Sequence, residues 1–174
     1  MKTCAAHVTP APWSDGLQHA RYGAEETYRR AAAWLACCAT VSDWGGSTGF
    51  FGTCLPRTTV YTVVDGTQQR PGQVLADLTA YRTPSDGILL RHVLELNLDW
   101  RAILHNALGA FRRRLVVITF TEPSPDTHVV KQKTGWPVQR FNLDDLRREM
   151  GALLVREEAV MTSHDEHLFY LERP

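Results

Sequence analysis

The chain has no excess of charge of either sign: 19 basic and 19 acidic residues among 174 give a formal net charge of zero. That balance excludes a broad electrostatic footprint for nucleic acid, although a local patch remains compatible with it. Long apolar runs are missing as well, so no segment of the sequence is long enough to cross a bilayer. Cysteines number four (Cys4, Cys37, Cys38 and Cys54), and they show neither metal-ligand spacing nor a disulfide framework. They read as buried free thiols, and no metal is expected. Residues 1–12 hold a single lysine and no apolar h-region, so they do not read as a signal peptide, and the expected address is cytoplasmic. Internal repeats and low-complexity segments are absent from the sequence.

What is present suits one globular domain: 44% hydrophobic and 22% charged residues, in a chain long enough to bury a core without disulfides or metals. Residues 1–20 read as an N-terminal tail or lid, and 21–174 as the folded domain. Tyr28, Ala31, Ala32 and Leu35 recur at helical spacing and predict a helix over 21–35, with Glu25 and Glu26 complementing its dipole. A strand over 36–42 then leads through Asp43-Trp44-Gly45-Gly46-Ser47-Thr48-Gly49 into a helix at about 48–55, which Pro56 ends. Strands follow at 60–64, 74–76 and 87–91, and then a helix over 99–113 with Arg112, Arg113 and Arg114 at its carboxyl end. Residues 115–120 are apolar on both faces, as a central parallel strand must be. A polar loop over 121–139, a helix over 143–154 capped by Asn142, and a hairpin of strands 155–161 and 167–171 complete the chain. This alternation predicts an α/β three-layer sandwich around a mostly parallel seven-stranded sheet with an antiparallel strand at the carboxyl end.

In such a sheet, ligands bind beyond the carboxyl ends of the strands. Three successive strand candidates end there in an acid: Asp43, Asp65 and Asp77. Asp65, followed by Gly66, can accept both hydroxyl protons of a ribose, and Asp43 stands two residues ahead of a Gly-rich turn. Glycine lets backbone approach a ligand closely, and the helix start beyond it offers N–H groups to a carboxylate or phosphate. A nicotinamide dinucleotide site fits poorly, because its glycine positions would fall on Gly45, Ser47 and Phe50, or on Gly46, Thr48 and Phe51. A carboxylate ahead of the turn would also repel a pyrophosphate, whereas it attracts an ammonium. No Gly-Lys-Ser/Thr follows, so a phosphate-binding P-loop is excluded too.

From about residue 21 to 173 this pattern resembles the class I S-adenosylmethionine-dependent methyltransferases, a Rossmann-like family. Asp43, Gly45, Gly46, Ser47 and Gly49 match the family's acidic, glycine-rich first motif, with Ser47 where the middle glycine usually stands. Asp65 and Gly66 match the ribose-binding position, and Asp77-Leu78 looks like the adenine-side motif. Residues 86–95, which include Arg91, are similar to the fourth strand and the segment at the ligand's methionine end. The resemblance implies S-adenosylmethionine as cofactor and S-adenosylhomocysteine as product.

Methyl transfer from a sulfonium needs alignment of the nucleophile and, for some acceptors, removal of a proton, so a missing catalytic triad is no objection. His92 is the candidate base, with Glu95 one turn away on its face if the segment is helical. The loop over 121–140 holds His128, Lys131, Lys133, Trp136 and Arg140, and His128, Lys131 and Trp136 join Glu95 as candidate acceptor contacts. The Asn/Asp-Pro-Pro-aromatic signature of nucleic-acid amino methyltransferases is replaced by Arg91-His92-Val93-Leu94. An O or N nucleophile on a small-molecule or saccharide-like acceptor is therefore expected, with a partner chain or homodimer able to complete the site. A noncatalytic cofactor-binding module and an enzyme that cleaves S-adenosylmethionine are the alternatives.

Overall fold

The computed structural model describes residues 25–68, 70–131, 137–161 and 165–174. The expected tail or lid over 1–20 lies outside the described residues. Helix α1 spans Glu25–Leu35, with Glu25–Arg29 and Glu26–Arg30 pairs one turn apart on its outer face. Thr27, Ala31, Ala32 and Leu35 form its buried face.

Among the described residues nine strands follow, in the order β1 Thr40–Trp44, β2 Val60–Asp65, β3 Val74–Leu75, β4 Ser85–Arg91, β5 Phe111–Thr119, β6 His128–Lys131, β7 Pro137–Arg140, β8 Leu154–Val160 and β9 Glu166–Glu172. Helix α2 (Trp100–Ala110) joins β4 to β5, and α3 (Leu143–Met150) precedes β8. Seven strands form one sheet in the order β3-β2-β1-β4-β5-β9-β8. Neighbours from β3 to β5 are parallel, and β9 runs antiparallel to both β5 and β8.

The central strands alternate their side chains between two apolar layers, as period-two geometry requires. Ile88, Leu90, Leu115, Val117, Phe169 and Leu171 pack toward α2 and α3. Leu89, Val116, Ile118, Leu168 and Tyr170 pack toward α1 and the short 3-10 helix Phe50–Cys54. The chain is thus a three-layer α/β sandwich of Rossmann-like form. No helix among the described residues is long and apolar enough to cross a membrane.

Several expected boundaries move. The first strand begins at Thr40, after a turn closed by the Cys38 N–H on the Leu35 carbonyl, and it carries Asp43 and Trp44 inside the sheet. Residues 48–55 make no α-helix; only the 3-10 turn Phe50–Cys54 forms, because left-handed Gly49 delays its start and Pro56 follows it closely. Helix α2 stops at Ala110, and Arg112, Arg113 and Arg114 lie on β5, where Arg113 and Arg114 bind the Cys37 and Trp34 carbonyls. The loop over 121–139 contains the β6–β7 hairpin. Helix α3 gives way to a 3-10 turn at Gly151–Leu153, while its predicted cap is present: Asn142 Oδ1 accepts the Asp144 N–H at 2.9 Å. Among the thiols, Cys38 is buried, Cys54 half-buried and Cys37 exposed, which corrects the reading of all of them as buried.

Candidate functional site

β1 and β4 lie side by side, with β2 and β3 to one side and β5 to the other, so the switch in strand order falls between them. Asp43, one residue from the end of β1, is 3% exposed, and its Oδ2 accepts the Tyr61 hydroxyl at 2.6 Å. Burial pushes this carboxyl up to about 7, with the Tyr61 hydrogen bond and the Arg91 charge pulling the other way. Tyr61 reaches it because it sits on β2 two residues ahead of Val63, the register partner of Asp43.

The turn beyond β1 winds through left-handed backbone at Gly45 (φ 75°), Ser47 (φ 46°) and Gly49 (φ 74°). The N–H groups of Gly45 and Gly49 are spent on the Val64 and Gly46 carbonyls, whereas those of Gly46 and Thr48 have no partner among the described residues. Asp65 holds the turn from the end of β2. Its Oδ2 accepts the Ser47 N–H at 3.0 Å, and its Oδ1 accepts the Thr67 N–H at 3.0 Å and the Thr67 hydroxyl at 3.2 Å. Gly66 is half-buried beside it, and Arg70 lays its guanidinium over Gly49. Asp77 is exposed and caps its own turn, accepting the Thr79 N–H and hydroxyl at 2.8 Å each, while Leu78 packs into the core.

A second cluster forms at the end of β4. Arg91 donates to Glu166 Oε1 at 2.5 Å and to the Tyr28 hydroxyl at 3.1 Å. His92 Nε2 lies 2.6 Å from the same Glu166 oxygen, and Thr27 donates to the other at 3.1 Å. All of Glu166 is buried; burial alone would raise its pKa, but the hydrogen bond from His92 and the charge of Arg91 outweigh it and hold the carboxyl below its ordinary value. His92 has left-handed backbone, φ 57°, which a non-glycine residue adopts only when its surroundings hold it there. Its ring packs on Phe120, 4.8 Å between centroids.

Glu95 is fully buried in the 3-10 turn Leu94–Leu96, and its Oε1 accepts the Phe120 N–H. His128 is turned to its own hairpin, with Nδ1 3.0 Å from the Asp126 carbonyl. Lys131 ends β6, and Trp136 lies outside the described residues. The hairpin meets the β4 turn through Gln139, which donates to the Asn97 carbonyl.

Sequence reasoning brought Asp43, Asp65 and the Gly turn to one edge and Arg91 and His92 to a neighbouring strand end. It missed Tyr61, Tyr28, Arg70 and Glu166. For Glu166 a signal existed: an acid immediately before the closing apolar strand, at the same sheet edge as the end of β5.

This sheet order, with its antiparallel closing strands and acids at the carboxyl ends of β1 and β2, is the fold of the class I S-adenosylmethionine-dependent methyltransferases. Solved structures share it. The 1,6-didemethyltoxoflavin-N1-methyltransferase of Burkholderia thailandensis, with 1,6-didemethyltoxoflavin and S-adenosylhomocysteine bound, superposes with a TM-score of 0.68 at 17% identity over 86% of this chain and 79% of that one. Magnesium protoporphyrin IX methyltransferase from Synechocystis PCC 6803, with S-adenosylhomocysteine bound, gives 0.62 at 14% over 86% and 82%. Mitomycin 7-O-methyltransferase gives 0.61 at 17% over 86% of this chain and 53% of its own. No family model matches the sequence, and no curated protein matches it.

Proposed function

We propose that the chain is an S-adenosylmethionine-dependent methyltransferase acting on an O or N nucleophile of a small-molecule acceptor. The observation that carries this reading is the pairing of Asp43, held by Tyr61 beneath the Gly turn, with Asp65 on the adjacent strand end that anchors that turn. Local chemistry fits the cofactor. The N–H groups of Gly46 and Thr48 suit its carboxylate, Asp43 suits its ammonium, and Asp65 keeps acceptor capacity for ribose hydroxyls beyond the three bonds it makes. Bound there, the cofactor supplies an activated methyl carbon.

The protein's own part is then alignment and proton removal. Arg91 and Glu166 fix the rim of β4, and Glu166 holds the His92 ring there through its Nε2. Methyltransferases of this fold named for 1,6-didemethyltoxoflavin and for mitomycin support a small-molecule acceptor, as does the zero net charge. Free thiols at Cys37, Cys38 and Cys54 agree with a reducing, cytoplasmic setting.

Calorimetry with S-adenosylmethionine and S-adenosylhomocysteine tests the cofactor, and a folded sample that binds neither would sink the reading. An acceptor screen with labelled methyl donor tests the transfer. His92→Asn, which tolerates left-handed backbone, is expected to keep cofactor binding and lose turnover.

A further inference from the structure

Glu95, expected from the sequence to contact the acceptor, is instead a fully buried acid. It sits in the turn just beyond β4, with Oε1 on the Phe120 N–H and Oε2 without any hydrogen-bond partner among the described residues. Leaving a buried carboxyl oxygen unmatched is costly, so the position calls for a reason. Val93, two residues earlier, presses on the Gly turn so closely that a Cβ on Gly45 would lie 2.5 Å from its Cγ2. The turn carrying Glu95 is thereby packed against the loop read as holding the methionine end of the cofactor.

The charges around Glu95 come from few elements. Arg91 of β4 favours its ionised form and Glu166 of β9 opposes it. From α2, Arg101 and His105 turn outward to Glu149, and from β7 the neutral Gln139 faces the turn while Arg140 pairs with Glu122. His92 lies across the Phe120 ring. Burial dominates and pushes the carboxyl up to about 8, against hydrogen bonds from its own and the Phe120 amides.

Resting on the methyltransferase reading, we propose that Glu95 is the proton store of the reaction: it stands ionised while the bound methyl donor carries its sulfonium charge, and takes up the acceptor's proton as that charge is discharged. The balance is complete. A bond forms from the acceptor's oxygen or nitrogen to the methyl carbon, the carbon–sulfur bond breaks, and the proton of the acceptor's hydroxyl or amino group passes to the Glu95 carboxylate. One positive and one negative charge vanish together, so no net charge is left buried. A cation near a carboxyl lowers its pKa by about 1–3 units. Binding the sulfonium form should therefore expel the Glu95 proton near neutral pH, and the thioether product should not. Asp43 does not confuse the comparison, because the ammonium it faces is common to both ligands.

The test is calorimetry of the full chain with S-adenosylmethionine and S-adenosylhomocysteine over pH 6–9, in buffers of different ionisation heat. The methyl donor should release up to one proton more than the thioether, and its affinity should rise relative to the thioether's by up to about tenfold per pH unit below pH 8. In Glu95→Gln the two pH profiles should coincide. Infrared difference spectra read the same event in the wild-type chain: the carbonyl band of protonated carboxyls should fade further on adding the methyl donor than on adding the thioether, and that difference should vanish in Glu95→Gln. Equal profiles for both ligands in the wild type, or a difference that survives in Glu95→Gln, overturn the proposal and leave the cofactor reading standing. Binding of neither ligand by the folded chain overturns both.

Discussion

A Cβ on Gly46 would fall 2.6 Å from the carboxyl carbon of Asp43, so the buried carboxylate occupies the space that a side chain at Gly46 would fill. This glycine is required by the acid beneath the turn. Gly45 is likewise required by Val93, and only its left-handed backbone is a matter of the turn itself.

Gly46→Ala is accordingly expected to lose about 1–3 kcal/mol of stability, since the overlap is with a packed and hydrogen-bonded carboxylate rather than the free end of a long side chain. Denaturant titration measures the loss, and a stability equal to wild type would show that Asp43 is not held where the structure puts it.

Asp65→Ala should do two things at once. It removes the acceptor of the Ser47 N–H, which frees the turn, and it removes the expected ribose partner, which should weaken S-adenosylhomocysteine binding by about 1–3 kcal/mol. Calorimetry reads the second effect and thermal melting the first; unchanged affinity in a folded variant would place the ribose elsewhere.

Tyr61→Phe deletes the hydroxyl that favours ionised Asp43. Because the folded carboxyl binds its proton up to about pH 7 while the unfolded one loses it near 4, the native state holds the extra proton and stability falls as pH rises through that window. Without the Tyr61 hydrogen bond the window extends to higher pH, at a further cost of about 1–3 kcal/mol above pH 8. Urea titrations from pH 5 to 9 compare the two slopes.

Glu95→Gln gives the opposite sign. The wild-type carboxyl, raised from 4.5 to about 8, destabilises the fold progressively as pH climbs between those values. Removing the titration should make the variant more stable than wild type at pH 8.5, relative to the difference at pH 5, by about 2–4 kcal/mol. Parallel pH profiles of the two proteins would mean that Glu95 is already ionised in the apo fold.

Much of the architecture is legible in the sequence. The apolar run of β5, the β-branched run of β2 and the Asn142 cap are local signals, decided by neighbours a few residues apart. Errors gathered where local signals conflict. The helical spacing of residues 99–113 ran into Phe111 and the arginines, which the sheet took because β4 and β9 were there to pair with them. The Gly turn proved less free for ligand than its composition suggested, and Ser47 fits it only through a left-handed φ that serine adopts at a cost of about 1–2 kcal/mol.

Residue type and short-range period were enough to determine the strand and helix order, the alternation that makes a mostly parallel sheet, and the placement of Asp43 and Asp65 at neighbouring strand ends. Tertiary structure alone decided that Glu166, 75 residues after Arg91, would close on Arg91 and His92, and that Tyr61 would hold Asp43. It also decided that Glu95 would be sealed in with one oxygen unpartnered among the described residues. The reason is physical: periodicity assigns a residue to a face, whereas burial, which sets what a carboxylate's proton is worth, depends on segments that meet only when the sheet is assembled.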